Sequence, residues 1–250
     1  KIKSVIEQVP TEASLTATRK IAVHAAERHE LYLFNEHVNT VDYIMYDFYA
    51  PTVRLLTRSS FVLPYHWPDN DSIRKVLRNR DYGIVEYTDG ICLFEKGANY
   101  EAGLQKLALS DGSNINNKKK ARLTDQIDFI GFNKHDILKY YIQPDKLGKI
   151  YWKHALHFTW FWQADSVLQD SLEFSFKLKK DDIELNKDHF PVFGVYPITK
   201  WQPKEIIRDE IFWELPDDFK TGVYQVHIKI LNQTEENDYV HLFDLNIREL

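Results

Sequence analysis

The sequence predicts a two-domain α+β chain. A small N-terminal α/β sandwich, 1–97, is followed by a polar linker, 98–124, and an antiparallel β-sandwich of immunoglobulin or jelly-roll type, 125–250. Three observations lead there. Helical and strand periods are mixed up to Gly97. After Asp125 the helical period vanishes and apolar residues alternate with polar ones. Between the two, residues 110–120 read SDGSNINNKKK, polar and turn-forming.

Each element has a local reason. Ile2, Val5, Ile6 and Val9 recur at helical spacing until Pro10. Residues 13–18, ASLTAT, are β-prone. Arg19 to Arg28 reads as a helix with Ile21, Ala22, Ala25 and Ala26 on one face. Residues 31–34 (LYLF) and 41–47 (VDYIMYD) read as strands, the latter apolar enough for a buried parallel strand. Asp69 or Asp71 is placed to cap a helix running to Asn79. Residues 82–87 and 91–95 flank Thr88, Asp89 and Gly90, a strong hairpin signal. In the second half, strands are expected over 127–132, 156–162, 206–215 and 240–248. Leu172, Phe174, Phe176 and Leu178 alternate with polar residues, as do Tyr224, Val226, Ile228 and Ile230. Between strands, Pro191, Gly194, Pro197, Pro216 and Gly222 supply turn chemistry.

Composition narrows the function classes. The chain has 250 residues, 44% hydrophobic and 28% charged, with a net charge of −5 that gives no footprint for nucleic acid. One cysteine, Cys92, allows neither an internal disulfide nor a cysteine-based zinc motif; within an apolar strand it reads as a small buried hydrophobe. No apolar run approaches the ~20 residues of a membrane helix. The sequence begins at Lys1 without methionine or signal peptide, and is expected to be a soluble piece of something larger.

Candidate chemistry is sparse. His24 and Arg28 share a helix face, as a catalytic or phosphate-binding pair would, or as a helix end docked onto its neighbour would. His135, His154, His157, His227 and His241 are scattered, so no metal site is expected from them, and no cofactor. Asp181, Asp182, Glu184 and Asp188 suit either a calcium loop or an acidic hairpin tip. The lysine run 118–120 reads as solvated linker charge rather than a phosphate patch. Sequons start at Asn70 and Asn232. No nucleophile elbow, phosphate loop or dinucleotide fingerprint is present. Among the tryptophans Trp152, Trp160, Trp162, Trp201 and Trp213, alternation puts Trp160 and Trp162 on one face with Phe158, which is core spacing.

Two runs of motifs carry a resemblance. In the first half these are residues 13–18, His24-Ala-Ala-Glu-Arg28, Leu31-Tyr-Leu-Phe34, Asp42-Tyr-Ile-Met-Tyr-Asp47, Tyr82-Gly-Ile-Val and Asp89-Gly-Ile-Cys-Leu-Phe-Glu-Lys-Gly97. Their order resembles the C-terminal soluble region of predicted polytopic bacterial membrane proteins of unknown function, a family similar to GT-C membrane glycosyltransferases. The resemblance marks His24, Arg28, Tyr32, Asp42, Tyr43 and Asp47 as recurring positions without assigning them roles. Ala26-Glu27 and Asn35 depart from the pattern. In the second half, residues 127–132 and 156–162, Pro191 to Trp201, Glu205, Asp209, Leu215-Pro216 and Gly222-Val-Tyr224 are similar to the β-sandwich ending some bacterial and archaeal membrane glycosyltransferases. Ile198-Thr199 and Thr221 depart there.

The resemblance implies an extracytoplasmic, periplasmic or cell-surface accessory region, attached to the membrane through upstream spans. It would bind or position glycan, lipid-linked sugar or a partner protein and have no catalytic residue of its own. Tyr196 and Trp201 are its candidate glycan or partner contacts. The rival readings are a stand-alone carbohydrate- or protein-binding module and a small α/β enzyme using His24, Arg28 and Asp42.

Overall fold

The computed structural model describes residues 2–34, 37–48, 70–88, 90–135, 137–142, 151–170, 172–216, 218–231 and 238–248, without the side chains of 70–72, 74, 138–142 and 151–153. Asn35, the cap residue Asp69, the turn residue Asp89, the sequon at 232–234, and the side chains of Asn70, Asp71, Ser72 and Trp152 lie outside the described residues. The chain is β-rich, with several antiparallel pairings, and it divides into two compact units, Lys1–Leu107 and Ala108–Leu250.

The first unit holds a five-stranded sheet. Its strands are β1 (Leu15–Ala17), β2 (Leu31–Leu33), β3 (Tyr43–Asp47), β4 (Tyr82–Thr88) and β5 (Ile91–Lys96), ordered β2-β1-β3-β5-β4. β1 pairs in parallel with β2 and β3, whereas β5 runs antiparallel to β3 and β4. The helices are α1 (Ile2–Ile6), α2 (Arg19–Ala22), α3 (Asn70–Arg78) and α4 (Tyr100–Ala108). Val5, Val9, Leu15, Ala17, Ile21, Ala22, Ala25, Met45, Ile91 and Leu93 form one apolar cluster between helix and sheet. The helix expected over 19–28 is α-helical only to Ala22 and tightens into a 3-10 turn over Val23–Ala25. Arg28 has left the helix, its guanidinium donating to the carbonyls of Val9, Pro10 and Ala13.

The stretch 98–124 is no linker. Leu104 and Leu107, three residues apart on α4, are both buried, and Tyr100 donates to the Leu77 carbonyl at 2.8 Å. Leu109–Ser110 forms strand β6 and Asn117–Arg122 forms β7. The lysine run therefore lies on a strand, where Lys120 and Arg122 reach the buried Asp128 carboxylate at 2.8 and 3.0 Å. Lysines along an edge strand also discourage pairing with other chains.

The second unit pairs two sheets in a sandwich-like arrangement. One contains β6, β7, β8 (Ile127–Lys134), β10 (Tyr151–Ala164) and β13 (Ile206–Leu215) in the order β6-β13-β10-β8-β7, with β9 (Leu138–Ile142) also pairing β10. The other is ordered β12-β11-β14-β15, from β11 (Phe174–Lys180), β12 (Ile183–His189), β14 (Gly222–Ile230) and β15 (Val240–Ile247). Aromatic rings from the two sheets meet: Trp160 on Phe176 at 4.5 Å, Trp162 on Phe174 at 4.9 Å, and Phe132 stacked on Phe243 at 3.8 Å. Trp160, Trp162 and Phe158 share this inner face, as their alternation predicts. Gly131 lies beside a bulge in the β8–β10 register with φ 153°. A Cβ there would sit 2.6 Å from the Asn117 carbonyl oxygen.

Candidate functional site

Strand β10 presents Phe158, Trp160 and Trp162 to the core, so His157 and Thr159 project from the opposite face of its sheet. The neighbouring strands add to the same two rows. Asn133 of β8 and Glu210 of β13 flank Thr159, and Phe212 of β13 flanks His157. His135, just past the end of β8, donates its backbone N–H to the His157 carbonyl at 3.0 Å and so completes the second row. The rings of His135, His157 and Phe212 stack in one row over β10 and β13, with centroids 4.1 and 4.4 Å apart and planes 17° and 8° from parallel.

The polar atoms of the cluster form a chain. Glu210 Oε2 is 2.8 Å from His157 Nε2, Thr159 Oγ1 lies 3.0 and 3.1 Å from the two Glu210 oxygens, and His135 Nε2 is 2.7 Å from Thr159 Oγ1. A hydroxyl has one proton to give. With the Thr159 O–H donating to the Glu210 carboxylate, the His135 ring N–H donates to Thr159, and His157 N–H donates to Glu210. His157, Thr159 and Glu210 are buried, while His135 is half-buried. Burial pushes the Glu210 carboxyl up, but the hydrogen bond and charge of His157, with the charges of His135 and Arg208, outweigh it and hold the group below the ordinary glutamate range. The site is thus a buried carboxylate, favoured in its ionised form, facing two imidazole rings. Among the described residues, these three side chains are the one group of histidine, cysteine or carboxylate ligands close enough to share a metal ion, their ligand atoms lying within 4.8 Å of one another. The sequence reading, which found these histidines scattered, missed this site. Its one local trace is polar residues inside apolar strands: Glu210 in one, His157 and Thr159 in the other.

The residues singled out from sequence fall elsewhere. His24 is exposed, whereas Arg28 is committed to backbone carbonyls and its pKa is lowered by burial. Asp42 Oδ2 accepts from Ser14 N–H and Oγ at 2.9 and 2.7 Å while Ser14 Oγ accepts from Asp42 N–H at 2.9 Å. The Ser14 bonds are also the first cause of the lowered Asp42 pKa. Arg28 and Asp42 therefore serve as braces, which takes two of the three groups from the enzyme reading built on His24, Arg28 and Asp42. Tyr43 donates to Glu95 at 2.8 Å, buried Asp47 meets Lys20 at 3.3 Å, and the Tyr32 ring lies 4.3 Å from His37. Tyr196 and Trp201 are buried, at 3% and 0% exposure, and present no face to a glycan or partner. The acidic residues of the calcium reading do not converge. Asp181 and Asp182 occupy the β11–β12 turn, Glu184 pairs with Lys177 and Lys179, and Asp188 accepts from Ser175.

A second polar surface lies on the outer face of the four-stranded sheet. Strand register lines up Asp188, Ser175 and Lys229 in one row, Asn186, Lys177, His227 and His241 in the next, and Glu184, Lys179, Gln225 and Asp244 in a third. The Tyr239 ring lies 4.3 Å from Lys177 Nζ and 5.0 Å from Lys229 Nζ. Compared with known proteins, the chain matches no family model and no curated protein.

Proposed function

We propose that the chain is an extracytoplasmic accessory region of a membrane glycosyltransferase-like protein, read as a small α/β domain followed by an immunoglobulin- or jelly-roll-like β-sandwich. Its role is to bind or position glycan rather than to catalyse transfer. The motif order set out above supports the family side of this reading. The observation that carries the binding side is the outer face of the four-stranded sheet around Tyr239. Three lysines there are balanced by Glu184, Asp188 and Asp244, with Ser175, Asn186 and Gln225 between them. Sugar hydroxyls donate and accept at once, so a face that mixes donors with acceptors suits them better than an all-basic face would. An aromatic ring adds a platform for the C–H face of a pyranose.

The experiment is titration of the purified chain with a panel of neutral oligosaccharides, a short-chain prenyl-diphosphate sugar and inorganic pyrophosphate, followed by NMR or calorimetry. Weak saturable binding of a neutral glycan, lost in Tyr239→Ala, is the expected result. Pyrophosphate binding without glycan binding would replace the glycan reading with an anion site. Binding of none, or sugar transfer by the chain alone, would overturn the proposal.

A further inference from the structure

We propose that His135, His157 and Glu210 form a binding site for a divalent transition-metal cation of the zinc class, with Thr159 beside it. The donor set is the first reason. Two imidazole nitrogens and one carboxylate suit zinc, cobalt and their neighbours, whereas calcium and magnesium call for all-oxygen cages. Three protein ligands leave a fourth position for water or another oxygen donor. Geometry is the second reason. Ligands about 2.0–2.1 Å from a tetrahedral zinc stand roughly 3.3–3.4 Å apart. The ligand atoms here already lie within 4.8 Å of one another, and the His157–Glu210 pair at 2.8 Å needs only to open slightly. Charge is the third. A buried carboxylate beside two imidazoles gains more from a dication than a solvated one does, because the low local dielectric strengthens the attraction.

Loading has a structural requirement. The His135 and His157 rings are near-parallel, so their nitrogens point side by side instead of at one point. His135, half-buried and outside the strand, is the ring that must turn, and it also marks the side from which an ion enters. Each ring then carries its proton on Nδ1 and offers Nε2 to the metal. The site lies on a different sheet from the glycan surface around Tyr239, so the two proposals stand or fall separately.

The test strips the purified chain with a chelator and titrates it with zinc against a chromophoric competitor, then with cobalt, read by its visible absorption. The expected result is stoichiometric uptake, with the strong absorption of a tetrahedral cobalt centre. His135→Ala should weaken affinity by at least about tenfold, with circular dichroism of the metal-free variant checking that the β-sheet signal persists, since the backbone bond from His135 N–H to the His157 carbonyl does not need the ring. Glu210→Gln should weaken it similarly. The exposed His241, whose ring is 5.2 Å from that of His227, gives the control: His241→Ala should leave uptake unchanged. No uptake, uptake indifferent to His135→Ala, or uptake lost in His241→Ala would each overturn the site.

Discussion

Asp209 and Glu210 are adjacent on one strand, yet their carboxylates leave opposite faces of the sheet and each meets a histidine: Asp209 meets His189 Nε2 at 2.9 Å, and Glu210 meets His157 Nε2 at 2.8 Å. Period-2 geometry requires the divergence. The two sites differ in what else they bind. Asp209 also accepts from the Val192 backbone N–H at 2.7 Å and Trp162 Nε1 at 3.2 Å. It therefore fastens a turn in which Val192 and Phe193 have φ of 50° and 56°, values that are uncommon for β-branched or bulky residues.

Asp209→Ala is therefore expected to be the most disruptive change at this strand. It would leave His189, the Val192 N–H and the Trp162 N–H without their carboxylate, and breaking a buried pair from one side costs about 3–5 kcal/mol. The loss should appear as a lower urea midpoint and faster proteolysis at 190–194. Glu210→Gln keeps the shape and an acceptor for His157, and should lower stability by about 1–2 kcal/mol. Equal midpoints for the two variants would contradict this division of roles.

Gly131→Ala tests the bulge. The added methyl would stand 2.6 Å from the Asn117 carbonyl oxygen and 2.6 Å from Ile115 Cγ2, on a backbone with φ of 153° that side chains rarely adopt. Overpacking of this kind costs about 1–3 kcal/mol. Because the clash separates β7 from β8, hydrogen exchange of the amides that pair them should accelerate. A neutral Gly131→Ala would mean that β7 can shift without penalty.

The strand alternation around Phe174, Phe176, Tyr224 and Val226 was legible because burial follows a period of two within one short segment. The His157–Glu210 contact was not legible, because the partners are 53 residues apart and meet only through the β10–β13 register. Arg28 illustrates a different limit. Its spacing from His24 was readable, but the carbonyls of Val9, Pro10 and Ala13 that capture it come from a turn whose path the spacing does not reveal. Residues 98–124 read as a linker from sequence because lysines and turn formers dominate 110–120. The pair Leu104 and Leu107 is a short apolar signal beside that polarity, and an edge strand of lysines has no apolar face to announce it.

Ser14→Ala removes one partner of the reciprocal Ser14–Asp42 brace that links the approaches to β1 and β3. Two side-chain hydrogen bonds are lost, one of them to a carboxylate, for an expected destabilisation of about 1–3 kcal/mol. Since Ser14 Oγ also helps lower the Asp42 pKa, the Asp42 carboxyl should titrate at higher pH in the variant, as followed by NMR. An unmoved titration would remove Ser14 as the cause.

Asp165 supplies an acid-pH signature for the second unit. Its carboxylate meets Lys204 Nζ and Arg122 Nη1, each at 2.6 Å, and these hydrogen bonds lower its pKa from the ordinary 3.8 to about 2. A depressed folded-state pKa contributes stability that is fully present above the unfolded value and is lost as pH falls through the folded one. The contribution should therefore be complete above about pH 4 and disappear towards pH 2. Lys204 and Arg122 are largely exposed, so salt screening should shrink it. Urea midpoints measured across this range should fall less steeply in Asp165→Asn than in the wild type, and the difference between the curves should narrow in high salt. Parallel curves at low salt would show that the Lys204–Asp165–Arg122 bridge does not persist in solution.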